Sequence, residues 1–120
     1  MIEARQMSDA PDWQPAIPVA KLSEDGFHAA TAGEHKLIVL RADGDIVAYR
    51  DRCPHEGYAL SITGERQDFV IVCNKHLWEF DAATGEHISR IPRPQCNLQR
   101  YPTREVDGMV EVDVSGQPAA

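Results

Sequence analysis

The chain has 120 residues, 42% of them hydrophobic, and a net charge of −7. That length allows one domain around one modest core, with an expected division into a flexible segment (1–15), a folded domain (16–115) and a tail (116–120). Acidity excludes nucleic acid as a partner. No apolar run approaches the roughly eighteen residues that cross a bilayer, and residues 1–16 hold neither an apolar signal core nor a twin arginine, so a cytoplasmic protein is expected. In chain order, residues 17–22 and 27–31 read as short strands parted by Ser23-Glu24-Asp25-Gly26. Residues 35–41 have the apolar centre Leu37-Ile38-Val39-Leu40, which predicts a strand buried on both faces. It pairs with residues 46–49 across Asp43-Gly44, a strong hairpin signal. Residues 69–72 run directly into Cys73, and residues 78–80 return from His76, which makes 73–76 the tip of a second hairpin. Residues 81–85 form the next turn. Residues 101–106 and 109–114 flank Asp107-Gly108, a third hairpin. This spacing of turns predicts an all-β domain, a small antiparallel sandwich or partly open barrel.

Two short loops carry the chemistry. The first reads Cys53-Pro54-His55-Glu56-Gly57 and the second Cys73-Asn74-Lys75-His76. Each supplies one thiolate and one imidazole. Zinc sites more often draw paired cysteines or paired histidines from each half of a motif. A Rieske [2Fe-2S] centre needs two cysteines on one iron and two histidines on the other, and two mixed loops meet that need. A structural zinc module with the same four ligands is the alternative. His28, His35 and His87 have no ligand partners at useful spacing and read as surface or structural histidines. There is no Gly-rich phosphate loop, no G-x-S-x-G and no nicotinamide or flavin fingerprint.

The ligand loops, the run His76-Leu77-Trp78-Glu79-Phe80, Thr84-Gly85 and the proline-rich Ile91-Pro92-Arg93-Pro94-Gln95-Cys96 together resemble the soluble Rieske ferredoxins of bacterial oxygenase systems, over about residues 16–115. Among these, the His-Leu-Trp-x-Phe run is most similar to the ferredoxin components of multicomponent di-iron monooxygenases acting on toluene, benzene or alkenes. The resemblance implies a β base with a cluster-binding subdomain at about residues 50–80, and one [2Fe-2S] cluster per chain. Cys53 and Cys73 would hold one iron and His55 and His76 the other. The implied role is not catalytic: a monomer that takes one electron from an NADH-dependent flavin reductase and passes it to an oxygenase hydroxylase, docking transiently at the histidine-bearing tip. A ferredoxin of an aromatic-ring dioxygenase and a small Rieske subunit of a nitrite reductase are the other members it could match.

Further expectations concern the surroundings of the ligands. Respiratory Rieske proteins clamp their loops with a disulfide; the matching neighbourhoods here hold Tyr58 and Asn74-Lys75, so no clamp is expected. Cys96 is expected to be a partly buried thiol in the proline loop. High-potential relatives place Ser and Tyr hydroxyls where this chain has Trp78 and Phe80, which implies a low potential. Trp78 is expected to pack beside the cluster rather than to relay electrons. Pro54 would stiffen the first loop, and Gly57 would permit close backbone approach. Residues 50–80 hold four bases against five acids, whereas residues 1–49 hold four against eight. The cluster-bearing segment is therefore nearly neutral and the body carries the acidity.

Overall fold

The computed structural model describes residues 10–54, 57–75, 77–89 and 96–115. Ten strands run in chain order: β1 (Trp13–Pro18), β2 (His28–Ala32), β3 (His35–Ala42), β4 (Asp45–Arg50), β5 (Gly64–Gln67), β6 (Val70–Cys73), β7 (Trp78–Asp81), β8 (Arg100–Tyr101), β9 (Thr103–Val106) and β10 (Met109–Asp113). The helical elements are a 3-10 turn at Val19–Lys21 and a single α turn, α1 (Leu60–Thr63). The strands form three antiparallel sheets, ordered β1-β10-β9, β2-β3-β4-β8 and β5-β6-β7. The antiparallel sheets with little helix and no closed barrel agree with the expected all-β domain.

The central sheet explains the apolar run in β3. Successive side chains of a strand point to opposite faces. Leu37 and Val39, with Ala48 of β4, pack on Val110 and Val112 of β10. Ile38 and Leu40, with Val47 and Tyr49 of β4, pack instead on Ile71 of β6 and Phe80 of β7. A sheet covered on both faces needs no polar alternation, and Leu37, Ile38, Val39 and Leu40 are all fully buried.

Turn chemistry sets the register. Ala42 pairs with Asp45, and Val106 with Met109. The intervening residues Asp43 and Gly44 (φ 53° and 80°) and Asp107 and Gly108 (φ 51° and 79°) are all left-handed, as a two-residue turn matched to strand twist requires.

Several elements differ from expectation. The first strand begins at Trp13 and ends at Pro18, and residues 19–21 turn rather than extend. Pairing with β10 decides this: β1 is an edge strand, where proline is tolerated, and its register shifts between Pro15 and Ile17. Trp13 is further held by the Arg104 guanidinium, 4.4 Å from its ring centroid. The expected single strand over 101–106 is broken at Pro102. Its first part joins β4 in the central sheet and its second joins β10, so the chain crosses between sheets. Thr103 Oγ1 donates to Ile46 O (2.8 Å) at that crossing. Strand β5 and helix α1 were not expected at all. Gly64-Glu65-Arg66-Gln67 has no apolar alternation, and it is a strand because its backbone pairs with β6. Phe69, expected in the sixth strand, lies in the turn before it and is 68% exposed.

Candidate metal centre

The first ligand loop leaves β4 under tight backbone control. Arg50 N donates to Gln99 O (2.8 Å) and Asp51 N to Lys36 O (2.9 Å). The Asp51 carboxylate then accepts from both the backbone N–H (2.7 Å) and the hydroxyl of Ser61, which ties the start of the loop to α1. Between them the loop closes on itself: Cys53 N donates to Tyr58 O and Gly57 N to Cys53 O, each at 2.7 Å. Gly57 has φ of 80°, and a Cβ there would sit 3.0 Å from Arg52 Nε. The conformation calls for glycine, rather than the space, since the neighbouring Arg52 side chain is exposed and can move aside.

The second loop is the tip of the β6–β7 hairpin, as expected, with Cys73 paired to Trp78. Leu77 takes a left-handed φ of 58°, unusual for a branched side chain, and its side chain is 69% exposed. Asn74 fixes the near side of the tip: its N–H donates to Thr63 O (2.9 Å) and its amide to Glu65 Oε1 (3.0 Å).

The fold brings the two loops together. Cys53 and Cys73 are 1% and 2% exposed and belong to one core with Leu60, Ile71 and Phe80. Neither is in a disulfide, nor is the half-buried Cys96. His55 and His76 lie outside the described residues, as do Glu56 and residues 90–95. Where a disulfide would join the loops of a respiratory relative, Lys75 of the second loop places Nζ 5.1 Å from the ring centroid of Tyr58 in the first. That cation–π contact spans the two loops without a covalent bond.

Packing behind the second loop is aromatic. The Trp78 indole stacks on His87, with centroids 4.3 Å apart and planes 15° apart, and the Phe80 ring lies tilted to that imidazole at 5.5 Å. His87 is buried, its N–H donating to Asn97 Oδ1 (2.9 Å). His35 is also buried, 3.2 Å from Tyr101 Oη, and His28 accepts from Ser23 N (3.0 Å). Below the site, Tyr49 donates to Ala82 O (2.8 Å), and burial pushes its phenol far above the usual range. Gly85 lets the turn of residues 81–85 settle onto that ring: a Cβ there would meet Tyr49 Cε1 at 2.7 Å.

Residues 12–118 match the family described as the Rieske [2Fe-2S] domain. The chain belongs to that family. Its cofactor is accordingly a Rieske-type [2Fe-2S] cluster, and two buried, unbridged thiols meeting in one core from opposite loops fit it. The anthranilate 1,2-dioxygenase ferredoxin subunit of Burkholderia cepacia is 33% identical over 108 residues, covering 86% of this chain and 93% of that one. The ferredoxin component of the alkene monooxygenase system of Xanthobacter autotrophicus is 30% identical over 86 residues, covering 72% and 68%. Among solved structures, the ferredoxin of Sphingomonas yanoikuyae B1 superposes with a TM-score of 0.71 at 26% identity, covering 89% of this chain and all of that one. Terminal oxygenases of carbazole 1,9a-dioxygenase from Nocardioides aromaticivorans IC177 and Novosphingobium sp. KA1 are also similar in structure, and this chain spans about a third of each.

Two contacts in this Rieske domain escaped sequence reading. The Lys75–Tyr58 contact joins residues seventeen apart, and no local pattern announces it. The other is Thr63, whose Oγ1 lies 3.9 Å from Cys73 Sγ; it comes from a helical turn and an edge strand that have no hydrophobic signature.

Proposed function

We propose that this protein is a Rieske ferredoxin, a one-electron carrier between an NADH-dependent flavin reductase and the hydroxylase of a di-iron hydrocarbon monooxygenase. The carrying observation is the convergence of Cys53 and Cys73 in one buried core at the mouths of two short loops. Cys53 and Cys73 would hold one iron of the cluster, and His55 and His76 would hold the other. When bound, such a cluster supplies reversible one-electron chemistry, at potentials from about −150 to +300 mV. The chain contributes exclusion of water from the sulfur side, through the apolar packing of Leu60, Ile71 and Phe80.

The tip suits brief docking. Leu77 of the second loop and Ile62 of α1 are 69% and 83% exposed, and Tyr58 of the first loop is also exposed. Around them the charge is nearly balanced, so contacts there would be short-range and partly apolar. A carrier of one electron must visit twice for each two-electron hydroxylation, which favours a small interface. A monomer working in the cytoplasm fits this role, and among the described residues no helix is long and apolar enough to cross a membrane. The relative that serves anthranilate dioxygenase, matched over most of both chains, supports a second reading, as donor to a ring-hydroxylating dioxygenase.

The test is spectroscopic and kinetic. Purified protein should contain two irons and two acid-labile sulfides, and after dithionite reduction its electron paramagnetic resonance should show an average g below the free-electron value, with nitrogen couplings. A colourless zinc-loaded protein would overturn the proposal. Substituting His55 or His76 by Cys should lower the midpoint if a cluster assembles. Because Trp78 and Phe80 carry no hydroxyl, the midpoint should lie toward the low end of the Rieske range; a value near its top would refute that part. Reduced protein mixed with each class of oxygenase separates the two readings by which one it reduces at a rate matching turnover.

A further inference from the structure

The hydroxyl of Thr63 has two neighbours, Ala59 O at 3.1 Å and Cys73 Sγ at 3.9 Å. The first is already engaged. Ala59 O accepts the N–H of Ile62 (3.1 Å) and the N–H of Thr63 itself (2.9 Å). A carbonyl oxygen has two lone pairs, so the hydroxyl is a third donor competing for two places. The sulfur is the other acceptor within reach.

The position is held firmly. Thr63 O accepts from Asn74 N (2.9 Å), the residue after Cys73, and Gly64 pairs with Cys73 across the β5–β6 ladder. A Cβ on Gly64 would lie 2.8 Å from Leu60 O and 3.1 Å from Val72 O. The end of α1 is therefore pressed against β6, and Thr63 is pinned beside Cys73 from both sides.

We propose that Thr63 is a potential-tuning residue, whose hydroxyl donates a hydrogen bond to the Cys73 sulfur when that sulfur is a metal-bound thiolate. The proposal rests on the reading of Cys73 as a cluster ligand. A thiol can donate; an iron-bound thiolate can only accept. With that sulfur serving as a metal ligand, the 3.9 Å contact has Thr63 as its donor. Hydrogen bonds to an ionised acceptor strengthen with its charge, so the bond favours the reduced state and raises the potential. It supplies from the α1 side a hydroxyl that Trp78 and Phe80 do not supply from β7.

The experiment compares holoprotein with Thr63→Val, which keeps the shape and removes the hydroxyl, and with Thr63→Ser, which keeps it. Iron, acid-labile sulfide and midpoint potential are measured on each. Thr63→Val should load fully and shift the reduction equilibrium three- to tenfold toward the oxidised form, roughly 30–60 mV lower at 59 mV per tenfold. Thr63→Ser should return the wild-type midpoint. A fully loaded Thr63→Val with an unchanged midpoint overturns the proposal, as does an equal fall in Val and Ser variants, which would assign the effect to the lost methyl packing. Should Thr63→Val fail to load, Thr63→Ala carries the same expectation and the same refutation. Wild-type protein that holds no iron and no sulfide defeats the ligand reading itself, a result distinct from a loaded protein insensitive to Thr63.

Discussion

The two faces of the central sheet are built from the same strands and do different work. One face sends Leu37, Val39 and Ala48 against Val110 and Val112, with the buried His35–Tyr101 pair interrupting the hydrocarbon. The other sends Ile38, Leu40, Val47 and Tyr49 against a layer that includes both Cys53 and Cys73. The first core closes on strands β1, β9 and β10, whose hairpin is a two-residue Asp-Gly turn. The second closes on β5, β6 and β7, whose longer tip is one of the two ligand loops. A metal centre in this fold therefore shares a wall with the core without sharing all of it. Changes on one face should be felt as stability alone, and changes on the other as stability and cofactor together.

The sharpest way to break that comparison is a matched pair of truncations. Leu37→Ala and Leu60→Ala each empty a fully buried site, and each should cost about 2–5 kcal/mol in denaturant melts. Leu37→Ala should leave the visible spectrum and midpoint of the folded fraction unchanged, whereas Leu60→Ala should also shorten the time for which the cluster is retained. Equal retention in the two variants would show that the faces are not separate.

A smaller effect tests the second face by pH. Burial raises the Tyr49 phenol above its ordinary value of about 10. The folded chain thus holds that proton more tightly than the unfolded chain does. The associated stability is complete below about pH 10 and drains away as pH rises beyond it. Tyr49→Phe deprives Ala82 O of its hydroxyl donor and should cost about 1 kcal/mol at neutral pH. Melts from pH 8 to 11 should show that deficit shrinking above pH 10, since the variant has no phenol at this site to ionise. A constant gap would mean that Tyr49 does not titrate as a buried group.

The smallest effect concerns the loop contact. Lys75→Met removes the charge above Tyr58 while keeping much of the side chain, a loss of about 0.5–1 kcal/mol. Global stability should barely move, and cluster loss under chelation should speed up several-fold. No change in that rate would reduce the contact to a passing surface pairing.

How far the chain could be read depended on where each signal resides. The Asp43-Gly44 and Asp107-Gly108 hairpins were legible because a left-handed two-residue turn has a local residue code. The double burial of β3 was legible because four consecutive apolar residues leave no polar face. The four proposed ligands stand out by their spacing; Cys53 and Cys73 lie buried in one core, and His55 and His76 fall outside the described residues. Strand β5 was not legible: it is a polar edge strand, held by pairing with β6. Pro102 gave a clue to the break after β8, but which sheet each half joins depends on partners elsewhere in the chain.

By itself, then, the sequence determined the chemistry on offer and the local geometry of the turns, because ligand type, turn code and strand periodicity are short-range properties. Only the tertiary structure decided what surrounds the sulfur atoms. The approach of Thr63 to Cys73 and of Lys75 to Tyr58 follows from strand register and from the close seating of α1 at Gly64. Such contacts join residues ten and seventeen positions apart, where composition has no influence and backbone pairing sets the distance.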